Sequence, residues 1–283
     1  MTPIDLPYFD ILLPQLDRGE QDVCTAFGRH VHWGYWDEAH PANGSLHSFA
    51  AAAERMCQRV CDAGQTADGQ KILDVGCGIG GTLASLNERF DGVELTGLNI
   101  DRRQLDYAEQ HVTAREGNRI ALVEGDACAM PFEDESFDVV LAVECAFHFS
   151  SRDRFFAEVA RVLRPGGKLA LCDFMPINAA VPFMFTQRLL FSGYVNRIVG
   201  PTNISCSRDS YVKLGEAVGL SLIGEEDVTP NTLPTYGVVR RIARRVGVHL
   251  VTAHLGTAGM ELVGRLGLLR YMILALEKPT QAR

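Results

Sequence analysis

Two patterns of apolar and polar positions alternate through the middle of the chain. Between Lys71 and Phe174, short apolar runs typical of β-strands are separated by segments with helical spacing, near residues 81–90, 103–115 and 153–163. Two further strands are predicted near 220–227 and at 269–277. Strands that alternate with helices form a mostly parallel sheet with helices on both faces. The pattern therefore predicts an α/β fold with a doubly wound, mostly parallel sheet.

The pattern changes on both sides of this region. Residues 1–65 have helical spacing, clearest along 46–60, and are predicted to form an N-terminal helical cap in front of the sheet. Residues 66–283 form the main predicted domain. Within it the alternation breaks at about 179–206 and 235–264, and we expect helical lid insertions there.

Composition and charge narrow the class of protein. The chain has 283 residues, 47% of them hydrophobic, which suffices for one α/β core with an appended cap. The net charge of −8 and the absence of a Lys/Arg cluster argue against a nucleic-acid partner. Eight cysteines without a CxxC pair indicate a reducing compartment, and no apolar run reaches the roughly 18 residues of a membrane span. We therefore expect a cytoplasmic protein without a membrane span.

The most informative string is ILDVGCGIGG at residues 72–81, an apolar strand that turns through glycines into a helix. Gly76 and Gly78 permit positive φ and let a ligand approach main-chain N–H groups, and Asp74 is placed to meet a cation. The glycine spacing alone also fits a dinucleotide-binding protein. Such a protein needs an acidic residue about 20 residues further on, at the tip of the second strand. This chain has Asn99 at that tip.

Four strings occur in an order that resembles a known family. LDVGCGIGG, GDA, MPFEDESFDVV and LRPGGKLALCDF are similar to the motifs of the class I S-adenosylmethionine-dependent methyltransferases, in the branch that acts on natural-product sugars and phenols, tocopherol or sterols. The resemblance covers residues 30–175 well. It implies a seven-stranded Rossmann-like sheet whose last two strands form an antiparallel finish, a domain at 66–283 that binds S-adenosylmethionine, and chemistry that requires no metal.

The resemblance also implies which residues bind the cofactor. They are Tyr35, Trp36, Asp74, Gly76, Gly78, Asn99, Gln104, Asp126, Ala127 and Glu144. The first aspartate and the two glycines belong to the loop that holds the methyl donor. Where most members have an acid for the ribose hydroxyls, Asn99 and Gln104 are expected to share that work.

The remaining cofactor contacts are expected at the two ends of the donor. Asp126 and Ala127 follow the third strand, where the family binds adenine. Glu144 ends the fourth strand, near the expected position of the methionine amine. The string HWGYW at residues 32–36 is similar to an element of the same branch whose aromatic rings, here Tyr35 and Trp36, close over the methionine end.

Two residues are candidates for catalysis. A lone histidine in an apolar string is typical of a packed core residue, but His148 coincides in position with the histidine of the sugar and phenol methyltransferases. A histidine, with an ordinary pKa of about 6.5, suits the removal of a hydroxyl proton at neutral pH. We expect Asp173, at the end of the fifth strand, to face His148 and orient it.

The sequence thus predicts a methyltransferase that acts on a small, largely apolar metabolite, with O-methylation in secondary metabolism favoured. C-methylation of a prenyl, sterol-like or aromatic substrate is the alternative within the class. A non-catalytic regulator that binds S-adenosylmethionine and an NAD(P)-dependent oxidoreductase are alternatives from other classes. The apolar residues between 179 and 200 would line the acceptor pocket or be covered in a homodimer.

Overall fold

The computed structural model describes residues 6–186, 193, 196, 200–245 and 250–280. One seven-stranded sheet, in the order β3-β2-β1-β4-β5-β7-β6, forms its centre. The strands are β1 (Lys71–Val75), β2 (Glu94–Asn99), β3 (Arg119–Glu124), β4 (Phe137–Val143), β5 (Leu163–Pro176), β6 (Ser221–Asp227) and β7 (Leu269–Glu277). The predicted doubly wound α/β class, mostly parallel and Rossmann-like, is confirmed.

Helices surround the sheet and precede it. They are α1 (Pro7–Asp17), α2 (Gln21–Phe27), α3 (Leu46–Ala63), α4 (Gly81–Arg89), α5 (Arg102–His111), α6 (Arg152–Val162), α7 (residues 181–186), α8 (Arg208–Ala217), α9 (Thr229–Thr232), α10 (Pro234–Arg245) and α11 (Leu250–Arg265). Short 3-10 helices span Ala146–His148 and Asn178–Ala180. The helices predicted between the strands lie within a few residues of these bounds.

The strand directions refine the expectation for the end of the chain. The strands β1 to β5 pair in parallel, whereas β7 pairs antiparallel with both β5 and β6. Only β7 is therefore reversed, and β6 runs in the direction of the parallel strands. The carboxyl ends of β1, β2 and β4 consequently meet at one edge of the sheet, where ligands bind in folds of this kind.

Apolar layers cover both faces of the sheet. On one face α6 and α8 pack Phe155, Phe156 and Tyr211 against the strands. On the other face α3 and α4 contribute a buried layer that includes Cys57 and Cys61, which pack as small hydrophobic side chains. Because α3 belongs to this layer, residues 46–63 do not lie in front of the sheet, and a cap formed by the rest of residues 1–65 stays a prediction.

Of the described residues in the predicted lid regions, 200–206 form no helix, and the other parts are mostly helical. These parts are α7, α10 and α11, and Arg240 of α10 lies 2.6 Å from the carboxylate of Glu261 of α11. Met184 of α7 is buried, whereas Phe183 and Phe185 are half exposed. Residues 187–192, 194–195, 197–199 and 246–249, which the lid prediction includes, lie outside the described residues. No helix in the described ranges is long and apolar enough to cross a bilayer.

Candidate functional site

A cleft lies at the carboxyl ends of β1, β2 and β4. Its walls come from the glycine loop after β1, the start of α5, the segment after β4, residues 29–32 and the start of α1. Seven of the residues proposed from the sequence line it together, and they are Asp74, Gly76, Gly78, Asn99, Gln104, Glu144 and His148. The cleft is thus assembled from segments more than 100 residues apart in the chain.

The glycine loop leaves room for a ligand because two of its residues lack a side chain. Gly76 and Gly78 have φ values of +68° and +56°, which most other residues rarely adopt. A Cβ atom at Gly76 would lie 2.7 Å from Cβ of Cys145, so this glycine allows the loop to contact the segment after β4. A Cβ at Gly78 would meet only Oε1 of Gln104, at 3.6 Å. Gly78 therefore borders the open part of the cleft.

Three buried polar atoms in this cleft have neither a hydrogen-bond nor an ion-pair partner among the described residues. They are Oδ2 of Asp74, Nδ2 of Asn99 and Nε2 of His32. The exposed fraction of each side chain is below 10%. Buried polar groups are almost always hydrogen-bonded in folded proteins, so three such atoms in one cleft indicate a polar ligand.

Burial also changes the protonation of Asp74. Only 1% of this residue is exposed, and burial raises the pKa of its carboxyl to about 8, against the opposing hydrogen bond with Thr82. A cation or hydrogen-bond donor brought to Oδ2 would favour the charged form and lower this pKa again. A cationic ligand bound at Asp74 would therefore release a proton from it.

His32 is a cleft residue that the sequence interpretation passed over. Its Nδ1 lies 3.0 Å from the carbonyl oxygen of Trp33. Because a carbonyl only accepts, Nδ1 carries the hydrogen and Nε2 is left as an acceptor. Burial lowers the pKa of His32 to about 3, so the ring is neutral. Residues 29–36 alternate between half-buried and buried positions, which places both His30 and His32 on the buried side, and no sequence pattern by itself distinguishes His32.

The structure does not bring Tyr35 and Trp36 into the cleft. Trp36 is 5% exposed and packs in a core cluster with Phe49 and Ile242. The ring of Tyr35 is covered by the guanidinium of Arg59, 4.4 Å from the ring centre. In the extended segment the even-numbered side chains point inward, but Trp36 lies past the cleft, beside α3. The HWGYW element thus reaches the cleft through His32, and not through the two predicted aromatic rings.

The tip of β2 presents amides, as the sequence predicts. Gln104 is buried on α5, and its Nε2 donates to Oδ2 of Asp101 at 3.3 Å. Asp101 caps α5 and lies 2.8 Å from a guanidinium nitrogen of Arg103. Burial opposes ionisation of Asp101, but the hydrogen bonds from Arg103 and Gln104 hold its pKa below the ordinary value. The carboxylate of Asp101 is therefore engaged, and Nδ2 of Asn99 and Oε1 of Gln104 are the amide atoms left to meet a ligand.

Asp126 and Ala127 lie beside the cleft and not among the residues that line it. Oδ1 of Asp126 accepts from the amide of Cys128 at 2.8 Å and closes a turn after β3. Ala127 is buried in the core layer under α6. Their assignment to adenine stays a prediction.

Glu144 holds the end of β4 against two other parts of the chain. Its Oε2 accepts from the amide of Trp33 at 2.8 Å and from the hydroxyl of Tyr271. Burial raises the pKa of Glu144 to about 8. Its φ of +51° is rare for a residue with a side chain and costs on the order of 1 kcal/mol, and such backbone is concentrated at functional sites.

His148 and Asp173 do not form the predicted pair. Nδ1 of His148 lies 3.0 Å from the carbonyl oxygen of Pro201. Asp173 is fully buried, accepts from the hydroxyl of Tyr211 and the amide of Phe174, and lies 3.6 Å from the guanidinium of Arg152. Within the described residues no hydrogen bond or ion pair joins it to the histidine. The expectation that Asp173 faces His148 is wrong, because its carboxylate is engaged in a separate buried network.

Comparison with known proteins identifies the family. The family described as "Methyltransferase domain" matches residues 73–171, from β1 to β5. The "Methyltransferase GfsG" of Streptomyces halstedii is 34% identical over 226 residues, which cover 77% of this chain and 76% of that protein. The chain belongs to the class I S-adenosylmethionine-dependent methyltransferases. It is accordingly an enzyme with S-adenosylmethionine as its cofactor and a small molecule as its acceptor.

Two further proteins are similar to this methyltransferase over most of its length. The "27-O-demethylrifamycin SV methyltransferase" of Amycolatopsis mediterranei is 30% identical over 212 residues, 74% of this chain and 73% of that one. A crystal structure of the cyclase SpnF covers 98% of each chain, with a TM-score of 0.72 and 22% identity. Since a protein named as a cyclase shares the fold, the fold by itself does not decide the reaction.

The residues of the cleft fit the cofactor of this methyltransferase. S-adenosylmethionine carries an ammonium group and ribose hydroxyls that can donate, and oxygen and nitrogen atoms that can accept. The unpartnered oxygen of Asp74 and nitrogen of His32 are acceptors, and Nδ2 of Asn99 is a donor. The open backbone at Gly78 leaves the space that a ligand needs beside them.

Proposed function

We propose that this methyltransferase methylates a hydroxyl oxygen of a small, largely apolar metabolite in secondary metabolism. The observation that carries the proposal is the hydrogen bond from Nδ1 of His148 to the carbonyl of Pro201. With Nδ1 protonated, Nε2 holds a lone pair, and no described residue occupies it. His148 lines the cleft and is therefore a base available for a hydroxyl proton. The name of the rifamycin methyltransferase, which specifies O-methylation, supports the same choice of acceptor atom.

The cofactor is proposed to lie along the cleft from Asn99 to Glu144. The amides of Asn99 and Gln104 would hold the ribose hydroxyls, and Asp126 and Ala127 would hold the adenine. Asp74, His32 and Glu144 would surround the amino-acid end, and Gly76 and Gly78 would leave it room. The three acceptors match a positively charged ammonium, and burial makes each such contact stronger than it would be in water.

When bound, S-adenosylmethionine would supply a methyl group on a positively charged sulfur; the carbon–sulfur bond would break as the carbon–oxygen bond forms, leaving S-adenosylhomocysteine. The acceptor hydroxyl gains this methyl group, and its proton passes to Nε2 of His148. Burial lowers the pKa of His148, so the ring is neutral and able to accept at pH 7. Leu6, Tyr8 and Phe9 at the start of α1 line the cleft, and their apolar surface would help to exclude water from the reacting atoms.

An apolar acceptor is proposed because aromatic rings lie next to Glu144 and His148. Trp33 and Phe174 meet edge to face at 5.5 Å, and Phe147 lies 6.3 Å from Phe174. Met184 of α7 packs in the same layer. The exposed rings of Phe183 and Phe185 in α7 add apolar surface that an acceptor or a second copy of the chain would cover.

The proposal is tested by incubating the protein with methyl-labelled S-adenosylmethionine and an extract of its own organism. A new labelled product, found by mass and cleaved as a methyl ether, supports it. The Gly78→Val protein is the matched control, and it measures any labelling that does not depend on the cleft. Label on carbon would assign C-methylation instead. Tight binding of S-adenosylhomocysteine without any product in active extracts would favour a regulator.

A further inference from the structure

We infer that Arg152 and Tyr211, which lie outside the cleft, are positioning residues that fix the ring of His148 as a base at Nε2. The inference rests on the role proposed for His148. It arises from the buried network around Asp173, which the cleft does not use directly.

The network joins three elements in the interior. Nε of Arg152, at the start of α6, donates to the hydroxyl of Tyr211 on α8 at 2.7 Å. That hydroxyl donates to Asp173 at the end of β5. All three residues are less than 10% exposed. A buried ion pair such as Arg152 and Asp173 contributes little net stability compared with apolar residues of similar size, although removing one partner alone is costly. We therefore assign the network a role in holding the neighbouring segments in place.

The network reaches His148 through the chain around residue 203. Nη2 of Arg152 donates to the carbonyl of Asn203. The amide of Asn203 donates in turn to the carbonyl of Phe147, at 2.8 Å, in the same 3-10 helix as His148. Two residues before Asn203, the carbonyl of Pro201 accepts from Nδ1 of His148. Arg152 thus holds the strip 201–203 against the 3-10 helix, and this strip presents the acceptor to the histidine.

The consequence for His148 is a fixed tautomer. A carbonyl oxygen cannot donate, so the ring must place its hydrogen on Nδ1 and keep the lone pair on Nε2. Histidine in water prefers the opposite tautomer, in which Nε2 carries the hydrogen and cannot accept a proton. The titratable and charged groups recorded against the ring are Tyr8 of α1, stacked at 6.5 Å, and the cation of Arg152. Within the described residues neither group forms a hydrogen bond with Nδ1, whose partner is the carbonyl of Pro201.

The test is the tautomer of His148 in the full-length protein labelled with 15N-histidine. Long-range 1H–15N correlation spectra distinguish a protonated from an unprotonated ring nitrogen, and His148→Gln assigns the signals. The wild type is expected to show hydrogen on Nδ1 of His148. Tyr211→Phe and Arg152→Lys should each return the ring to a mixture dominated by hydrogen on Nε2.

An internal control accompanies the measurement. Nδ1 of His111 lies 2.8 Å from the carbonyl of Tyr107 within α5, so its tautomer should stay the same in every variant. If Tyr211→Phe does not fold, Arg152→Lys gives the result. In the methylation assay the variants should lower kcat by about tenfold, part of the contribution of a positioned base, with the KM for S-adenosylmethionine unchanged.

Two results would overturn the inference. One is hydrogen on Nε2 of His148 in the wild type. The other is an unchanged His148 tautomer in folded Tyr211→Phe and Arg152→Lys proteins. Failure of the proposed function looks different, because then the tautomer would respond as expected while His148→Gln protein kept its activity.

Discussion

The amide nitrogen of Trp33 lies 2.8 Å from the carboxylate of Glu144, across 111 residues of sequence. The hydroxyl of Tyr271 reaches the same oxygen from β7. Three distant parts of the chain therefore meet on one carboxylate at the end of β4. Since burial raises the pKa of Glu144 to about 8, this group is largely protonated at pH 7 without a ligand. A cationic ligand beside it would favour ionisation.

Binding of S-adenosylhomocysteine should therefore release protons near pH 7. Glu144 and Asp74 both have a pKa of about 8 without ligand, and an ammonium group beside them lowers it. Titration calorimetry in buffers of different ionisation enthalpy measures the number released. Glu144→Gln should reduce both this number and the affinity, the latter by about tenfold, since one pKa unit corresponds to a tenfold change in an equilibrium constant.

The matched control is Glu116→Gln, which removes an exposed carboxylate that lies away from the cleft. It should leave affinity and proton release unchanged. Equal proton release by wild type and Glu144→Gln would mean that Glu144 does not sense the ligand.

Gly78→Val should abolish binding of S-adenosylhomocysteine. The side chain would project into the open part of the cleft, where only Gln104 lies within 4 Å of the new Cβ. Because valine at positive φ also strains the backbone, some stability is lost with it. Calorimetry gives the affinity and thermal unfolding gives the stability.

Gly69→Ala separates these two effects. Gly69 has a φ of +74° with no atom within 4 Å of a new Cβ, and it lies outside the cleft. The Gly69→Ala protein should lose stability and keep its affinity for S-adenosylhomocysteine. Near-normal binding by Gly78→Val would place the ligand elsewhere.

The sheet could be predicted from the sequence because parallel strands buried on both faces are nearly continuous apolar runs. The β4 strand, FDVVLAV, is an example. The glycine loop could be predicted because Gly76 and Gly78 occupy positions that need positive φ. Both features are determined by residues that are close together in the sequence.

What the sequence missed depends on contacts between distant residues. That Asp173 bonds to Tyr211 and Arg152, and not to His148, follows from how α6 and α8 pack on β5. His32 lines the cleft and Trp36 does not, because the extended segment leaves the cleft before residue 36. Spacing along a chain does not encode either fact.

His32→Gln should weaken binding of S-adenosylhomocysteine by roughly tenfold to a hundredfold, since a buried acceptor that meets a charged donor contributes roughly 1.5–3 kcal/mol. The pKa of His32 is about 3, so the loss should be constant from pH 5 to pH 8. His47→Gln is the matched control, because His47 is exposed and lies outside the cleft. An affinity loss that appears only on acidification would contradict a neutral acceptor.

Asp74→Asn should change how stability depends on pH in the ligand-free protein. Burial raises the pKa of Asp74 to about 8, above its unfolded value, so the folded state holds the proton more tightly. Stability is then highest below the unfolded pKa and falls as pH rises toward 8. The Asp74→Asn protein lacks this loss of stability. The difference between its Tm and the wild-type Tm should therefore be several degrees larger at pH 8 than at pH 5. For a chain of this size, 1 kcal/mol corresponds to roughly 2–4 °C in Tm.

The exposed Asp153 supplies the control for this experiment, since its carboxyl lies on the surface of α6. The difference in Tm between Asp153→Asn and wild type should not vary between pH 5 and pH 8. The same absence of variation in Asp74→Asn would show that Asp74 is already ionised in the free protein. Asp74→Asn should also bind S-adenosylhomocysteine more weakly, because the neutral amide loses the attraction for an ammonium group.

His148→Gln should lower kcat by about 10² to 10⁴, the range for a positioned base, once an acceptor has been found. The affinity for S-adenosylhomocysteine should change little, because the Nε2 atom serves the acceptor. Burial lowers the pKa of His148, so wild-type activity should be retained at a pH below 6.5, where an ordinary histidine would be protonated. The variant should recover partly in alkaline buffer, where more of the acceptor hydroxyl is ionised. A loss of less than threefold with an unchanged pH profile would return His148 to the status of a packed residue and leave methyl transfer to positioning alone.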